Sequence, residues 1–274
     1  MVFDPAKLFR LDGKVALVTG GANGIGQAIA IGMAAAGADV VFCDLQDDWL
    51  GETRSAIEAQ GRRALALTAD MGSPDDIVRM FAAVDENFGQ LDILVNNVGA
   101  TKRHRPEDHP LDEWNTVLTI GVTGSLLCAQ HAFRRMTESG RGGSIINISS
   151  IAGAAALGRG NLSHSVNKGA LNMMTKELAV EWAKHGIRVN AILPCQVMTN
   201  GFQKWLDSPT FDPALMDRFL TGIPMNRLAT PEEMAGPAIF LASDAASMVT
   251  GVLLPVDGGN LALNAGGSHT WTTA

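Results

Sequence analysis

Seven short runs of β-branched or apolar residues recur along the chain, with helix-length segments between them. The runs that we predict as strands are Val15–Thr19, Val40–Cys43, Ala64–Thr68, Ile93–Val95, Ser144–Ile148, Arg188–Leu193 and Val252–Val256. Parallel strands need crossovers of about a dozen residues or more, and this spacing supplies them. The alternation therefore predicts an α/β protein: a three-layer, doubly wound (Rossmann) fold with a mostly parallel seven-stranded sheet.

Helical periodicity appears in the segments between these strands. Four segments with apolar residues at three- and four-residue spacing are Gly24–Ala36, Pro74–Asn87, Gly124–Thr137 and Ser165–Lys184. A further helix is expected from Thr230 to about Ala242, because Thr230-Pro231-Glu232-Glu233 has the residues of a capping box.

No repeat, low-complexity tract or change of composition marks a domain boundary. We therefore interpret residues 1–274 as a single Rossmann-type domain, with residues 261–274 as a C-terminal extension. Residues 199–227 interrupt the alternation with four aromatic residues and three prolines. An insertion beyond the carboxyl end of a strand is placed to cover a substrate crevice, and a surface helix pair without that role is the alternative.

Charge and cysteine content limit the partners and the compartment. A net charge of −7 and a pI near 5.3 disfavour binding to nucleic acid, so the expected partner is a small-molecule substrate. Cys43, Cys128 and Cys195 are far apart and lack metal-ligand spacing, which indicates reduced thiols and no metal site. We find no secretory signal and no apolar stretch near the roughly 20 residues of a membrane span. The sequence thus predicts a cytoplasmic protein without a membrane partner.

A glycine-rich turn follows the first predicted strand. The sequence Thr19-Gly20-Gly21-Ala22-Asn23-Gly24-Ile25-Gly26 leads into a helix, so its backbone amides can approach a pyrophosphate at the helix N-terminus. Asp44 ends the second strand, where a carboxylate can bind a ribose diol. That carboxylate would repel the 2′-phosphate of NADP, and no Arg or Lys follows in Leu45-Gln46-Asp47-Asp48. We therefore predict NAD(H) as the cofactor.

In order and spacing, these motifs resemble the short-chain dehydrogenase/reductase family over nearly the whole chain, from about Leu11 to Asn260. Asp70-Met71 resembles the dipeptide that meets the adenine, Asn96-Asn97-Val98-Gly99 resembles the Asn-Asn-Ala-Gly strand end, and Pro194 to Thr199 resembles the segment that closes over the nicotinamide. The cofactor-binding residues implied are Gly20, Asn23, Gly24, Ile25, Gly26, Asp44, Asp70, Met71, Asn97, Gly99, Lys168, Pro194, Val197 and Thr199. The resemblance also implies a homotetramer or homodimer.

The catalytic residues implied by the resemblance are Ser150, His164 and Lys168. Here the chain departs from the family pattern. Tyr-x-x-x-Lys appears as His164-Ser165-Val166-Asn167-Lys168, and the chain contains no tyrosine. Gly121 stands where the family has a mid-helix relay asparagine, and Cys195 stands where it has a glycine.

A histidine can perform the acid–base step that the family assigns to tyrosine. Its unperturbed pKa of about 6.5 lies near neutrality, and Lys168 one helical turn away would disfavour the imidazolium and leave a neutral base suited to alcohol oxidation. Imidazole is shorter than phenol, so contact would need a bridging water or a displaced substrate. A change that inactivates a natural binding protein, or one introduced to trap substrate, is the alternative.

A basic run, Lys102-Arg103-His104-Arg105, follows the predicted strand end at Gly99. Its guanidinium groups could bind a carboxylate, phosphate or sulfonate, and a solvated loop is the alternative. The predicted substrate residues are Ser150, Arg103, Arg105, Phe202 and Trp205, whereas Cys195 is assigned a packing role.

The sequence as a whole predicts an NAD(H)-dependent oxidoreductase that interconverts a secondary alcohol, such as a sugar, polyol or hydroxy acid, and its ketone. A catalytically impaired NAD-binding protein or sensor is one alternative. A non-redox lyase or isomerase on the same scaffold is the other.

Overall fold

All seven strands lie in one parallel sheet in a computed structural model that describes residues 4–209 and 211–264. The strands are β1 (Val15–Thr19), β2 (Asp39–Asp44), β3 (Ala64–Thr68), β4 (Ile93–Asn96), β5 (Gly143–Ile148), β6 (Ile187–Pro194) and β7 (Leu253–Val256). Their order is β3-β2-β1-β4-β5-β6-β7, and every neighbouring pair is parallel. The predicted fold class is confirmed.

Helices flank both faces of the sheet. They are α1 (Pro5–Leu8), α2 (Gly24–Ala35), α3 (Leu50–Ala59), α4 (Pro74–Phe88), α5 (Leu111–Leu118), α6 (Gly124–Glu138), α7 (Leu162–Trp182), α8 (Asn200–Leu206), α9 (Ala214–Thr221) and α10 (Ala235–Ala242). Helix α3 escaped the sequence prediction because only Leu50, Thr53 and Ile57 are buried along it, which leaves a weak apolar stripe.

Local capping fixes two of the predicted helix ends. The hydroxyl of Ser73 accepts a hydrogen bond from the backbone amide of Asp76 at 3.3 Å, at the start of α4. The predicted capping box at Thr230 is present, with the Thr230 amide donating to the Glu233 carboxylate at 2.9 Å. The turn that follows, Pro231–Met234, is a 3₁₀ turn that continues into α10.

Helices α5 and α6 are joined by a π-helical turn, Thr119–Thr123, into one run of 28 residues. By length and mean hydropathy this run could cross a bilayer, so the expectation that no apolar segment approaches that length is wrong here. Its inward face, which includes Cys128, Ala129 and Ala132, is fully buried against the sheet. Within the described residues it is therefore a core helix of the fold.

Two apolar layers hold the helices on the sheet, one on each face. One contains Ile29, Met33 and Phe42, and the other contains Leu17 and Leu94. Strand β1 is buried along its whole length because both of its faces are covered. The strand order reverses between β1 and β4, and ligands of open parallel sheets bind at such a point, outside the carboxyl ends of the strands.

Candidate active site

The glycine-rich turn between β1 and α2 has a backbone that larger residues cannot adopt. Gly20 and Gly24 have φ angles of +65° and +56°, in the left-handed region that favours glycine. A Cβ atom at Gly26 would overlap the carbonyl oxygen of Gly20. These glycines therefore keep the turn tight against the start of α2.

Asn97 ties this turn to the neighbouring strand across the point where the strand order reverses. Its side-chain amide donates to the carbonyl oxygens of Thr19 at 3.0 Å and Gly20 at 3.1 Å. Helix α2 starts at Gly24 without a side-chain cap from Asn23, so the first amides remain available to a ligand. Free amides at a helix N-terminus fit the pyrophosphate of a dinucleotide.

The Asp44 carboxylate lies beside the same turn. It accepts hydrogen bonds from the backbone amides of Ala22 at 3.1 Å and Leu45 at 2.9 Å. The amide of Ala69 donates to the Asp44 carbonyl at 2.9 Å, which brings Asp70 and Met71 to the adjacent strand end. The site predicted for the adenosine half is thus contiguous, and it lies beyond the cleft described next.

A cleft of about 440 Å³ opens at the carboxyl ends of the central strands. The sequence-predicted residues that line it are Ile25, Asn97, Gly99, Arg103, Ser150, His164, Lys168, Pro194, Val197, Thr199 and Phe202. A larger cavity, lined by Lys14 and Asp92 among others, lies at the amino end of the sheet. Sites in parallel sheets lie at the carboxyl ends, so the smaller cleft is the candidate active site.

Lys168 is buried at the base of the cleft. Its Nζ donates to the carbonyl oxygen of Ile148 at 2.7 Å, and a Cβ at Gly99 would lie only 3.3 Å from that nitrogen. Burial lowers the pKa of Lys168 to about 8. Ser150, at the end of β5, lines the same cleft, and its hydroxyl accepts from the Ala152 amide at 3.1 Å.

His164 lies one helical turn before Lys168 on α7, with its Nδ1 3.1 Å from Oγ1 of Thr101. Burial is the main cause that lowers the pKa of His164 to about 4, and the positive charges of Lys168 and Arg103 add to it. The imidazole is therefore neutral at physiological pH. From the sequence we expect Lys168 to be the cause of a neutral base; in the structure burial is the larger cause and the charge of Lys168 comes second.

Cys195 also lines the cleft, at the place of the family's glycine. Burial raises the pKa of its thiol, and Sγ lies 3.7 Å from the carbonyl oxygen of Gln196. A protonated thiol is a poor nucleophile, which supports the packing role over a catalytic one.

An amide side chain occupies the space beside Gly121, but α7 supplies it. A Cβ added at Gly121 would overlap the Asn167 amide, whose Nδ2 donates to the carbonyl of Val117 at 2.8 Å. Asn167 Oδ1 is buried without a hydrogen-bond partner among the described residues. The asparagine missing from position 121 thus has a spatial counterpart on the helix that carries His164 and Lys168.

We expect Gly121→Ala to lower the free energy of unfolding by about 1 to 3 kcal/mol, because the added methyl overlaps a buried amide. The double variant Gly121→Ala/Asn167→Ala should be less destabilised than the sum of the two single variants. Urea denaturation of all four forms measures this coupling. Gly51→Ala, whose Cβ would meet nothing within 4 Å, is the matched control. Strictly additive effects would show that the two residues do not share this space.

The substrate side of the cleft is formed partly by α8 and α9, within residues 199–227. Phe202 and Phe219 line the cleft, whereas Trp205 lies behind them, with its ring 5.4 Å from that of Phe202. The guanidinium of Arg103 stacks on Trp205 at 4.1 Å. Arg105 is exposed and does not line the cleft. The structure therefore brings three of these predicted substrate residues together and leaves Arg105 outside.

Several cleft features were not predicted from the sequence. Thr101, Asn167, Arg159, Arg218 and Phe219 were not assigned to the site, although they contact or adjoin its residues. Arg159 lies between two glycines, a pattern that is typical of an ordinary surface loop. Both glycines have positive φ angles in the structure. No sequence signal separates these positions from solvated ones.

Together the switch-point cleft, the glycine turn and the carboxylate at the end of β2 define a Rossmann-type dinucleotide-binding protein. The profile of the family described as Enoyl-(Acyl carrier protein) reductase matches residues 20–260. The chain therefore belongs to the short-chain dehydrogenase/reductase family of oxidoreductases.

Relatives of known name and structure extend over nearly the whole chain. The chain is 38% identical over 254 residues to 2-dehydro-3-deoxy-D-gluconate 5-dehydrogenase of Dickeya dadantii. The aligned region covers 93% of this chain and 98% of that protein. It is 40% identical over 253 residues to D-threitol dehydrogenase of Mycolicibacterium smegmatis. That aligned region covers 92% of this chain and 94% of the relative. A crystal structure of gluconate 5-dehydrogenase from Burkholderia cenocepacia in complex with NADP and tartrate has a TM-score of 0.88 at 31% identity and covers 95% of this chain and 100% of that one.

Proposed function

We propose that the protein is an NAD(H)-dependent oxidoreductase that interconverts a secondary alcohol and its ketone. The observation that carries the proposal is the convergence of Ser150, His164 and Lys168 with the predicted nicotinamide-side residues in one cleft. A hydroxyl-orienting group, a neutral base and a buried cation then face the same space at the strand ends.

His164 is the proposed acid–base residue. Nδ1 lies 3.1 Å from Thr101 Oγ1. In the tautomer that we propose, Nδ1 holds the proton and donates to Thr101 Oγ1, so that Nε2 presents a lone pair to the substrate hydroxyl, directly or through a water. In oxidation the hydroxyl proton passes to Nε2 as the carbon loses a hydride. The nicotinamide, when bound, supplies the acceptor for that hydride. Ser150 orients the substrate oxygen, and Lys168 holds the nicotinamide ribose.

Cofactor binding is assigned to the glycine turn and the strand ends around it. The uncapped amides at the start of α2 hold the pyrophosphate, Asp44 holds the adenosine ribose, and Asp70 with Met71 meets the adenine. The proposal of NAD(H) rests on the Asp44 carboxylate, with only Leu45, Gln46 and two further acids after it. The related gluconate 5-dehydrogenase was solved with NADP, so the preference is a property to be measured on this chain.

The substrate is proposed to be a polyhydroxy compound: a sugar, a polyol or a hydroxy acid. The names of the relatives, a deoxygluconate dehydrogenase and a threitol dehydrogenase, support this class. Ser150, Phe202 and Arg103 line its side of the cleft, and Trp205 lies behind Phe202 and Arg103. The exposed Arg105 is assigned a long-range role at the entrance. Residues 199–227 are proposed to cover the substrate in this cleft.

A catalytically impaired NAD-binding protein is the second candidate. The observation that favours it is the absence of any tyrosine, since the shorter imidazole of His164 reaches less far into the cleft. A non-redox lyase or isomerase has no such observation in its favour.

We expect the purified protein to reduce NAD when given a panel of polyols, sugars and hydroxy acids, and the absorbance of reduced nicotinamide measures it. If none of these compounds is turned over but NAD binds tightly, the second candidate, a catalytically impaired NAD-binding protein, is favoured. Activity that appears only in His164→Tyr would identify an inactivated dehydrogenase. A failure to bind NAD or NADH in calorimetry would overturn the oxidoreductase assignment.

Assembly and compartment are proposed as well. We propose a homotetramer or homodimer, because α7 exposes an apolar stripe that a second copy would cover, formed by Leu162, Val166, Met173 and Val180. A cytoplasmic location is proposed from the three free cysteines.

A further inference from the structure

Three arginine side chains meet at the outer half of the cleft. Arg103 follows β4, Arg159 precedes α7 and Arg218 is on α9. Arg103 and Arg159 line the cleft, and an adjoining pocket is lined by Arg159 and Arg218. The two spaces share the wall formed by Phe219 and Leu157. The three cations therefore surround one continuous opening above the catalytic residues.

None of the three has a carboxylate partner among the described residues. Several other arginines of this chain are paired with carboxylates, as in the contact of Arg62 with Asp39 at 2.7 Å and that of Arg227 with Glu233 at 2.6 Å. The three residues are exposed, but their like charges repel one another, which costs free energy. An anion would offset that cost.

Aromatic rings hold two of the guanidinium groups in place. Arg103 stacks on Trp205 at 4.1 Å, and Arg159 stacks on Phe219 at 4.8 Å. The two rings are themselves in contact, with centroids 6.3 Å apart. A guanidinium stacked on a ring keeps its N–H edges free for a bidentate oxyanion. The aromatic residues of 199–227 thus orient the cations as well as cover the cleft.

The backbone at Arg159 supports a specific placement of its side chain. Its φ angle is +61°, a conformation that is uncommon for a residue other than glycine. Burial is the main cause that lowers the pKa of Arg159, and the charges of Arg103 and Arg218 lower it further. The three guanidinium groups are therefore close enough to interact electrostatically. Arg103 also lowers the pKa of His164, so the cluster begins close to the base and extends outward.

We propose that the substrate carries an oxyanion group, a carboxylate, phosphate or sulfonate, which Arg103 and Arg159 bind while Arg218 adds charge behind them. Its reacting hydroxyl then faces Ser150 and His164. This inference rests on the proposed function and narrows its substrate class from polyhydroxy compounds in general to anionic ones. A neutral polyol would leave the three guanidinium groups without a counter-charge.

The test compares D-gluconate, glucose 6-phosphate and sorbitol at low salt, in wild type and in Arg159→Gln. In wild type we expect kcat/KM for one or both anions to exceed that for sorbitol at least about 10-fold. Arg159→Gln should lower kcat/KM for that anion about 10- to 100-fold, mainly by raising KM. The two anions distinguish a carboxylate from a phosphate subsite. Arg54→Gln, an exposed arginine on α3, is the charge-matched control. Equal use of sorbitol, or an equal loss for all three compounds, would overturn the proposal.

Binding without turnover separates this inference from the proposed function. Calorimetry with D-gluconate and with sorbitol, in the presence of NADH, measures the anion site by itself. If no compound is oxidised but gluconate binds in an Arg159-dependent manner, the oxidoreductase function fails and the anion site stands. If neutral polyols are oxidised and neither anion binds better than sorbitol, the function stands and the anion site is wrong.

Discussion

Replacing His164 by alanine is expected to slow alcohol oxidation about 10²- to 10⁴-fold while NAD and NADH still bind, because the variant lacks the group that takes the hydroxyl proton. His164 lines the cleft beside Lys168, and Thr101 fixes its Nδ1 at 3.1 Å. Steady-state kinetics with the best substrate of the polyol panel, and calorimetry with NADH, measure the two quantities separately. Full activity in the alanine variant would exclude a catalytic role for the imidazole.

Thr101→Val is the graded control for this prediction. It leaves His164 in the cleft and removes the hydrogen bond that orients the ring, so we expect a loss of about 10-fold or less in kcat. The pH profile should shift with it, because the ring loses its preferred tautomer. Equal losses in Thr101→Val and His164→Ala would point to collapse of the site instead of loss of the base.

The pH dependence follows from the lowered pKa of His164, about 4. A neutral base is present above that value, so kcat/KM for oxidation should be flat across neutral pH and fall only as the pH drops toward 4. Reduction needs the imidazolium, so its kcat/KM should fall about tenfold for each pH unit above 4. Opposite slopes in the two directions therefore identify the group. A midpoint near 6.5 for oxidation would show that the imidazole is solvated during turnover.

Wild-type protein is expected to bind NAD about 100-fold more tightly than NADP, because a 2′-phosphate would lie against the Asp44 carboxylate and like charges in contact cost several kcal/mol. Asp44 is held toward the turn by the amides of Ala22 and Leu45, so its charge cannot easily move away. Asp44→Ser should reduce the ratio to about 10 or less. The double variant Asp44→Ser/Leu45→Arg should reverse it, since Leu45 is 58% exposed and can be replaced without disturbing the core.

Asp48→Ser is the matched control for the cofactor preference. It removes the same charge from an exposed site on the following turn, and we expect the ratio of the two dissociation constants to change less than about threefold. Fluorescence titration with NADH and NADPH measures both constants on each variant. Equal affinity of the wild type for the two cofactors would show that the carboxylate turns away from the ribose.

The sequence by itself determined the fold and the positions of the residues that we assign to the nucleotide half of the site. Both depend on local features: β-branched runs of strand length, glycines that permit positive φ angles, and a carboxylate at a strand end. Because parallel strands end at the same edge, the residues after β1, β2, β4 and β5 are brought together by topology alone. The positions of Gly20, Asp44, Asn97 and Ser150 followed from that rule.

The tertiary structure decided the electrostatics and the substrate half. The neutral state of His164 depends mainly on burial by residues distant in sequence, which no spacing rule conveys. The amide of Asn167 occupies the space beside Gly121, although a strand separates the two residues in the sequence. Likewise, Arg159 and Arg218 join Arg103, whereas its sequence neighbour Arg105 lies outside the cleft. Long side chains from two loops and a helix meet only after the core has packed, so their convergence is a property of the folded chain.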